Sequence, residues 1–141
     1  MKAFLDSSVL VPVFYGDHQH HAASLDLFTR FPREQASCAA HSLLEVYATL
    51  TRMPGKHRIS GEQAMLFIND IRARLTLVSL DAGEYGAMLE KFVFLGVTGG
   101  TIYDALLAAC AIKAEAKALF SWNVRHYQQF GPEVAGILKT P

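Results

Sequence analysis

Four short apolar runs constrain this chain most, because each is separated from the next by enough residues for one or two helices. Lys2–Leu5, Gln35–Ala39, Leu75–Leu80 and Ala118–Ser121 have the length and character of buried strands. Strands so far apart are joined by crossovers rather than hairpins, which predicts βαβ units and a mainly parallel sheet. The intervening segments read as helices. In His20–Phe31, Ala23, Leu27 and Phe31 recur at four-residue steps; Ser42–Met53 places Leu43, Tyr47 and Leu50 on one face and stops at Met53-Pro54-Gly55. Ser60-Gly61-Glu62-Gln63 reads as a capping box opening a helix to about Arg74. Ala82–Leu95 reads as helical with Gly96 suited to its C-terminal cap, and Thr101–Ala116 is rich in Ala and Leu. Val124–Phe130 reads as a short helix and Val134–Leu138 as a last edge strand. Ser8–Tyr15 supports two readings: Val9, Val11 and Val13 alternate as in a strand, yet Ser8 could cap a helix that tolerates Pro12 in its first turn. The expected fold is α/β, with helices on both faces of a sheet of four to five strands.

Composition narrows the class. The chain has 141 residues, one domain's worth, so residues 1–141 are expected to form a single domain. Hydrophobic residues make up 51%, which excludes a disordered chain. No apolar run approaches the ~20 residues of a membrane span; Val9–Tyr15 is interrupted by Pro12. Asp6 sits where a secretory signal would be apolar. A cytoplasmic protein with no membrane partner is expected. Cys38 and Cys110 have no partner at motif spacing and read as reduced, buried side chains. Thirteen Lys and Arg balance thirteen Asp and Glu, so the net charge is zero and no broad basic surface for polyphosphate is available.

Three acids stand where such a fold concentrates chemistry. Ligands of parallel sheets bind at the carboxyl ends of the strands. Asp6 ends the first strand, while Glu45 and Asp104 lie near helix starts. Each has a bland reading: Asp6 as a turn or cap, Ser42–Glu45 as a capping box, Thr101–Asp104 as another. Together at one sheet edge they would repel one another unless a cation intervened. A hard ion with oxygen ligands, Mg²⁺ or Mn²⁺, suits such a site and can activate water beside a phosphate. No zinc pattern, P-loop or G-x-G-x-x-G is present, and Gly96-Val97-Thr98-Gly99-Gly100 matches neither glycine-rich spacing.

Four strings in order resemble the PIN-domain family, and most closely its VapC-type toxins of bacterial toxin–antitoxin pairs. Met1-Lys2-Ala3-Phe4-Leu5-Asp6-Ser7-Ser8-Val9-Leu10 resembles the opening strand with its acid, and Ser42-Leu43-Leu44-Glu45-Val46-Tyr47-Ala48 the helix with the family Glu. Tyr103-Asp104-Ala105-Leu106-Leu107-Ala108-Ala109-Cys110-Ala111 resembles the third motif, and Phe120-Ser121-Trp122-Asn123-Val124-Arg125-His126-Tyr127 the fourth. The resemblance covers nearly the whole chain. It implies a PIN-like α/β/α sandwich and a metal-dependent endoribonuclease acting on single-stranded or loop RNA. It also implies a small cognate antitoxin and a homodimer. On that reading Asp6, Glu45 and Asp104 hold Mg²⁺ (or Mn²⁺), with Ser8 and Ser121 in support. The fourth position, usually Asp, is Asn123 here. Its neutral carbonyl is a weaker ligand, which predicts one well-held ion without substrate.

Other residues have two readings each. Arg52, Lys56 and Arg58 lie in a basic loop after the Glu45 helix and are either a solvated helix exit or a hold on RNA phosphates. Arg125 and His126 offer the same, and His126 also a proton shuttle. His18, His20 and His21 lack the spacing of a helical metal pair and read as a polar helix entry. Trp122 either packs at a strand end or stacks on a base. Two rival functions remain: a catalytically weak RNA- or protein-binding module, favoured by Asn123, and an aspartate-phosphate or receiver-like enzyme, disfavoured by Ser7 and Ser8 where further acids belong.

Overall fold

A computed structural model describes residues 1–141. Five strands form one parallel sheet: β1 (Ala3–Leu5), β2 (Ala36–Ala39), β3 (Thr76–Val78), β4 (Leu119–Phe120) and β5 (Leu138–Lys139), in the order β3-β2-β1-β4-β5. The chain steps outward from β1 through β2 to β3, then returns to pair β4 on the other side of β1. The direction of winding therefore reverses between β1 and β4, which opens a crevice at their carboxyl ends.

Eight α-helices complete the structure: α1 (Ser7–Val13), α2 (His21–Arg30), α3 (Ala40–Thr51), α4 (Gly61–Arg74), α5 (Ala82–Phe94), α6 (Thr101–Lys113), α7 (Val124–Tyr127) and α8 (Pro132–Ala135). Alternation along each strand divides the core in two. Ala3, Leu5, Ala36, Cys38, Ala118 and Phe120 face Val9, Leu10, Leu27, Val46 and Ile71 of α1 to α4. Phe4, Ala39 and Leu119 face Phe92, Leu107, Tyr127 and Val134 of α5 to α8. Burial on both sides accounts for the continuous apolar runs. Cys38 and Cys110 are free and buried.

Local chemistry sets the helix ends. Ser60 and Gln63 form the expected capping box, and Asp81 with Glu84 forms another. Gly96 follows α5 with φ of +77°, a conformation that favours glycine.

Several expectations are corrected. Residues 8–13 follow the helical reading and Phe14 and Tyr15 lie beyond it, but the cap is Asp6, whose side chain accepts from the Val9 amide; Ser8 lies inside the helix. Neither proposed capping box at Glu45 or Asp104 exists. Helix α3 begins at Ala40, directly from β2, and its cap Ala39 offers no side-chain bond. That places Glu45 in the second turn. Gly100 precedes α6, again with no side-chain cap. Val134 belongs to α8, so the edge strand shrinks to Leu138–Lys139.

The two half-cores should behave as separate packing problems. Ile71→Ala and Leu107→Ala each remove a fully buried side chain, one per face, and should each cost about 2–5 kcal/mol. Urea unfolding of the double variant should give the sum of the two losses to within about 0.5 kcal/mol.

Candidate active site at the sheet switch point

The crevice beyond β1 and β4 is a cavity of about 430 Å³ whose walls include Asp6, Glu45, Asp104 and Asn123. Asp6 is its floor. The Asp6 amide donates to Phe120 O at 3.1 Å, extending the β1–β4 ladder by one residue. Its carboxylate accepts from Ser8 Oγ at 2.6 Å and from the Val9 amide at 3.2 Å. Ser8 Oγ lies 3.3 Å from Ser121 Oγ, and Ser121 Oγ accepts from the Asn123 amide at 2.9 Å. Ser8 Oγ also accepts from the Trp122 amide at 2.9 Å. Ser8 and Ser121 thus tie the end of β1 to the end of β4.

The other two acids are held differently. Glu45 Oε1 accepts from Ser7 Oγ at 3.0 Å and lies 3.7 Å from His41 Nε2. Ser7 Oγ is also 3.0 Å from the buried Ser42 Oγ, which explains the polar residue at that buried position. Asp104 Oδ2 lies 2.8 Å from His126 Nδ1 instead of reaching back to cap its helix. Asn123 precedes α7 without spending its side chain on a cap, so its amide remains free at the cavity wall.

Burial shapes the electrostatics. Asp6 is 2% exposed, and its pKa is raised from 3.8 to about 6, chiefly by desolvation, with hydrogen bonds from Ser121 and Ser8 pulling the other way. Glu45 is raised too, first by burial; Ser7 and His41 offset this, while Asp104 adds repulsion. Tyr127 is wholly buried close to Asp6, yet its hydroxyl makes no hydrogen bond of good geometry. Burial first, and then the charges of Asp6 and Asp104, push its pKa upward.

The donor set fits a hard divalent cation. The three acids, with the hydroxyls of Ser7 and Ser8, bring oxygens to the cavity, and two of the carboxyls are raised by burial, a cost that a cation would offset. No three His, Cys, Asp or Glu side chains are grouped closely enough to enclose an ion among themselves. Each acid instead faces its own partner, Ser8, Ser7 or His126. Mg²⁺ needs no such cage: it is usually held by one or two carboxylates and retains several waters.

The basic candidates separate. Arg52 lines an adjoining hollow with Glu45, Thr49, His41 and Tyr103, and His126 touches Asp104. Lys56, Arg58 and Arg125 are exposed and line neither cavity; Arg58 Nε donates to Met53 O at 3.0 Å. Ser7, Thr49, His18 and His20 line the main cavity without having been singled out as site residues. For Ser7 the signal was present as the second residue of Asp6-Ser7-Ser8, where both hydroxyls follow an acid at a strand end.

The sequence matches the PIN domain family over residues 3–128. The chain belongs to the PIN-domain family. This PIN domain is 35% identical to Ribonuclease VapC40 of Mycobacterium tuberculosis, over 81% of each chain. Its fold is similar to that of VapBC2 from Rickettsia felis, solved bound to a DNA fragment from the promoter. That comparison gives a TM-score of 0.69 at 18% identity, covering 100% of this chain and 99% of the other. It is also similar to VapC20 of Mycobacterium tuberculosis, a toxin that cleaves the sarcin–ricin loop. There the TM-score is 0.68 at 18% identity, over 89% of this chain and 92% of that one. The expected α/β/α architecture is therefore the observed one.

The raised pKa of Asp6 makes a signed prediction. Between pH of about 4 and about 6 the folded chain holds a proton that the unfolded chain has released. That contribution to stability is complete below pH about 4 and is lost as the pH rises through about 6. Asp6→Asn, which cannot ionise, should match the parent at pH 4 in EDTA. At pH 8 it should be more stable by about 2–3 kcal/mol in urea unfolding.

Proposed function

We propose that this PIN domain is the toxin of a type II toxin–antitoxin pair, a VapC-type endoribonuclease that hydrolyses single-stranded or loop RNA with Mg²⁺ or Mn²⁺. The observation that carries the reading is the convergence of Asp6, Glu45, Asp104 and Asn123 on one cavity from four separate motifs. The relationship to Ribonuclease VapC40 supports the activity. The entire 141-residue chain acts as one domain in this reading.

Of Asp6, Glu45 and Asp104, one or two would hold the ion directly and the rest through its waters, and Asn123 would offer a carbonyl to it or to a water beside it. When bound, the ion neutralises phosphate charge and makes water a better nucleophile at neutral pH. The protein's own part is positioning. Ser8 and the Val9 amide fix one face of Asp6, Ser7 fixes Glu45, and His126 holds one oxygen of Asp104. Water attacks phosphorus and gives up a proton, the bond to the leaving ribose oxygen breaks, and that oxygen takes up a proton in balance. Arg52, in the hollow it shares with Glu45, and His126 beside Asp104 would meet a phosphate at the site, while Lys56, Arg58 and Arg125 would meet RNA farther along its path.

The resemblance of the fold to VapBC2 supports a small antitoxin as partner. The exposed Leu89, Val93 and Phe94 on α5 support a homodimer. No helix is long and apolar enough to cross a membrane, and we infer a cytoplasmic site of action. Asn123 in place of an acid favours one alternative, a PIN-like module that binds RNA or protein with little catalysis.

Sequencing RNA ends after a brief pulse of expression separates the readings. New 5′ ends should accumulate with the parent chain and be absent with Asp6→Asn. With purified protein, EDTA should abolish cleavage. Asp104→Asn should slow it by more than the roughly 10–100-fold that losing a supporting partner costs at metal sites. Cleavage unchanged in EDTA would overturn the metal mechanism, and no cleavage in Mg²⁺ or Mn²⁺ would favour the binding module.

A further inference from the structure

One wall of the cavity is built from rings. Trp122 and His20 stack with centroids 3.6 Å apart and planes within 8° of parallel. His18 lies 5.5 Å from His20, Tyr15 lies 5.9 Å from His18, and His57 lies 4.9 Å from Tyr15. Five rings therefore run in series from the carboxylates to the basic turn holding Lys56 and Arg58. Trp122, His20 and His18 line the same cavity as Asp6 and Asp104.

The stacked end of this row is held in place. The Trp122 indole N–H donates to Ser24 Oγ at 3.0 Å, and Ser24 is fully buried. The Trp122 amide donates to Ser8 Oγ, the hydroxyl that also holds Asp6. The His20 amide donates to His18 Nδ1 at 3.0 Å, which pins the loop before α2. The rings are half-buried, so the loop carries partly open ring surface. A stretch with Asp17, His18, Gln19 and His20 contributes little to the core, and a polar helix entry alone does not require its rings to stack.

We propose that the His20–Trp122 pair is a stacking platform for an unpaired nucleobase next to the scissile phosphate, continued by His18 and Tyr15. The inference rests on the ribonuclease reading above and adds how that site selects its substrate. Base–aromatic stacking accepts any base with a free face, and a duplex offers none within its stack. The platform thus selects unpaired RNA by geometry. It also suits the charge balance: with thirteen cations offset by thirteen acids, stacking adds affinity that a few local basic residues do not supply. Trp122 is anchored to the Asp6 network, so a base seated there is registered against the carboxylates. His20 acts in binding and selection and takes no part in bond breaking.

The test uses the full chain and short single-stranded RNAs carrying one mapped cleavage site. One series replaces a single base near the site by an abasic ribose, position by position. Binding is measured in Ca²⁺ and cleavage in Mg²⁺. At one position adjacent to the cut, loss of the base should weaken binding to the parent about tenfold. His20→Ala should weaken binding of the intact RNA to a similar degree and bind the abasic RNA as the parent does. His20→Phe, which keeps a ring, should restore binding to within about twofold. Equal affinity for every abasic RNA would overturn the platform. So would a His20→Ala defect that is the same with and without the base, because that is the signature of a purely structural role. Thermal melts of both variants confirm folding. A parent chain that neither binds nor cuts any RNA would instead overturn the ribonuclease reading itself.

Discussion

A buried carboxylate at the join of two strands organises this molecule. Asp6 ends β1, caps α1 and closes the β1–β4 ladder, and it is almost wholly removed from water. A charge in that position would be costly if left alone. The surrounding hydroxyls answer it: Ser8 donates directly, and Ser121 connects Ser8 to the turn beyond β4. The helix N-terminus contributes the Val9 amide and its dipole. The network is tuned to hold an acid rather than to neutralise it, for no Lys or Arg approaches Asp6. Burial outweighs those bonds, so the carboxyl is left raised to about 6.

The sequence disclosed the architecture more fully than the details of the site. Strand–helix alternation was legible because both faces of a parallel sheet are buried and its strands read as unbroken apolar runs. Asp6, Glu45, Asp104 and Asn123 were visible as motif positions. Local rules misled at Glu45 and Asp104, where Ser or Thr three residues earlier mimicked capping boxes. Caps depend on where a helix begins, and α3 begins at Ala40 because β2 runs into it without a loop. Partners distant in sequence could not be read at all. Ser7 with Glu45, His126 with Asp104 and Trp122 with Ser24 join residues 38, 22 and 98 positions apart. Such pairings arise only when the crossovers bring the elements together. The cationic candidates were hard to place for the opposite reason: exposed side chains obey few packing constraints.

Cavity and ring wall make different demands on the same segment. On the proposed reading, the acids need oxygen-rich surroundings that leave them free to accept a cation. The rings need apolar backing, which Trp122 obtains by packing against the β1 to β4 core. Trp122 sits where those requirements meet, with its amide on the polar network and its indole on the core. That is why a large aromatic residue follows Ser121 immediately.

The division of the core has one more consequence. Asp6 and Glu45 are borne by elements packed on one face of the sheet, whereas Asp104 rides on α6 from the other. The distance between the two groups of acids is therefore a caliper on how the two half-cores sit across the sheet. No loop separates β2 from α3, so Glu45 is placed by a helix that starts directly at the strand end. The relative placement of the acids is therefore set jointly by two half-cores that share one sheet.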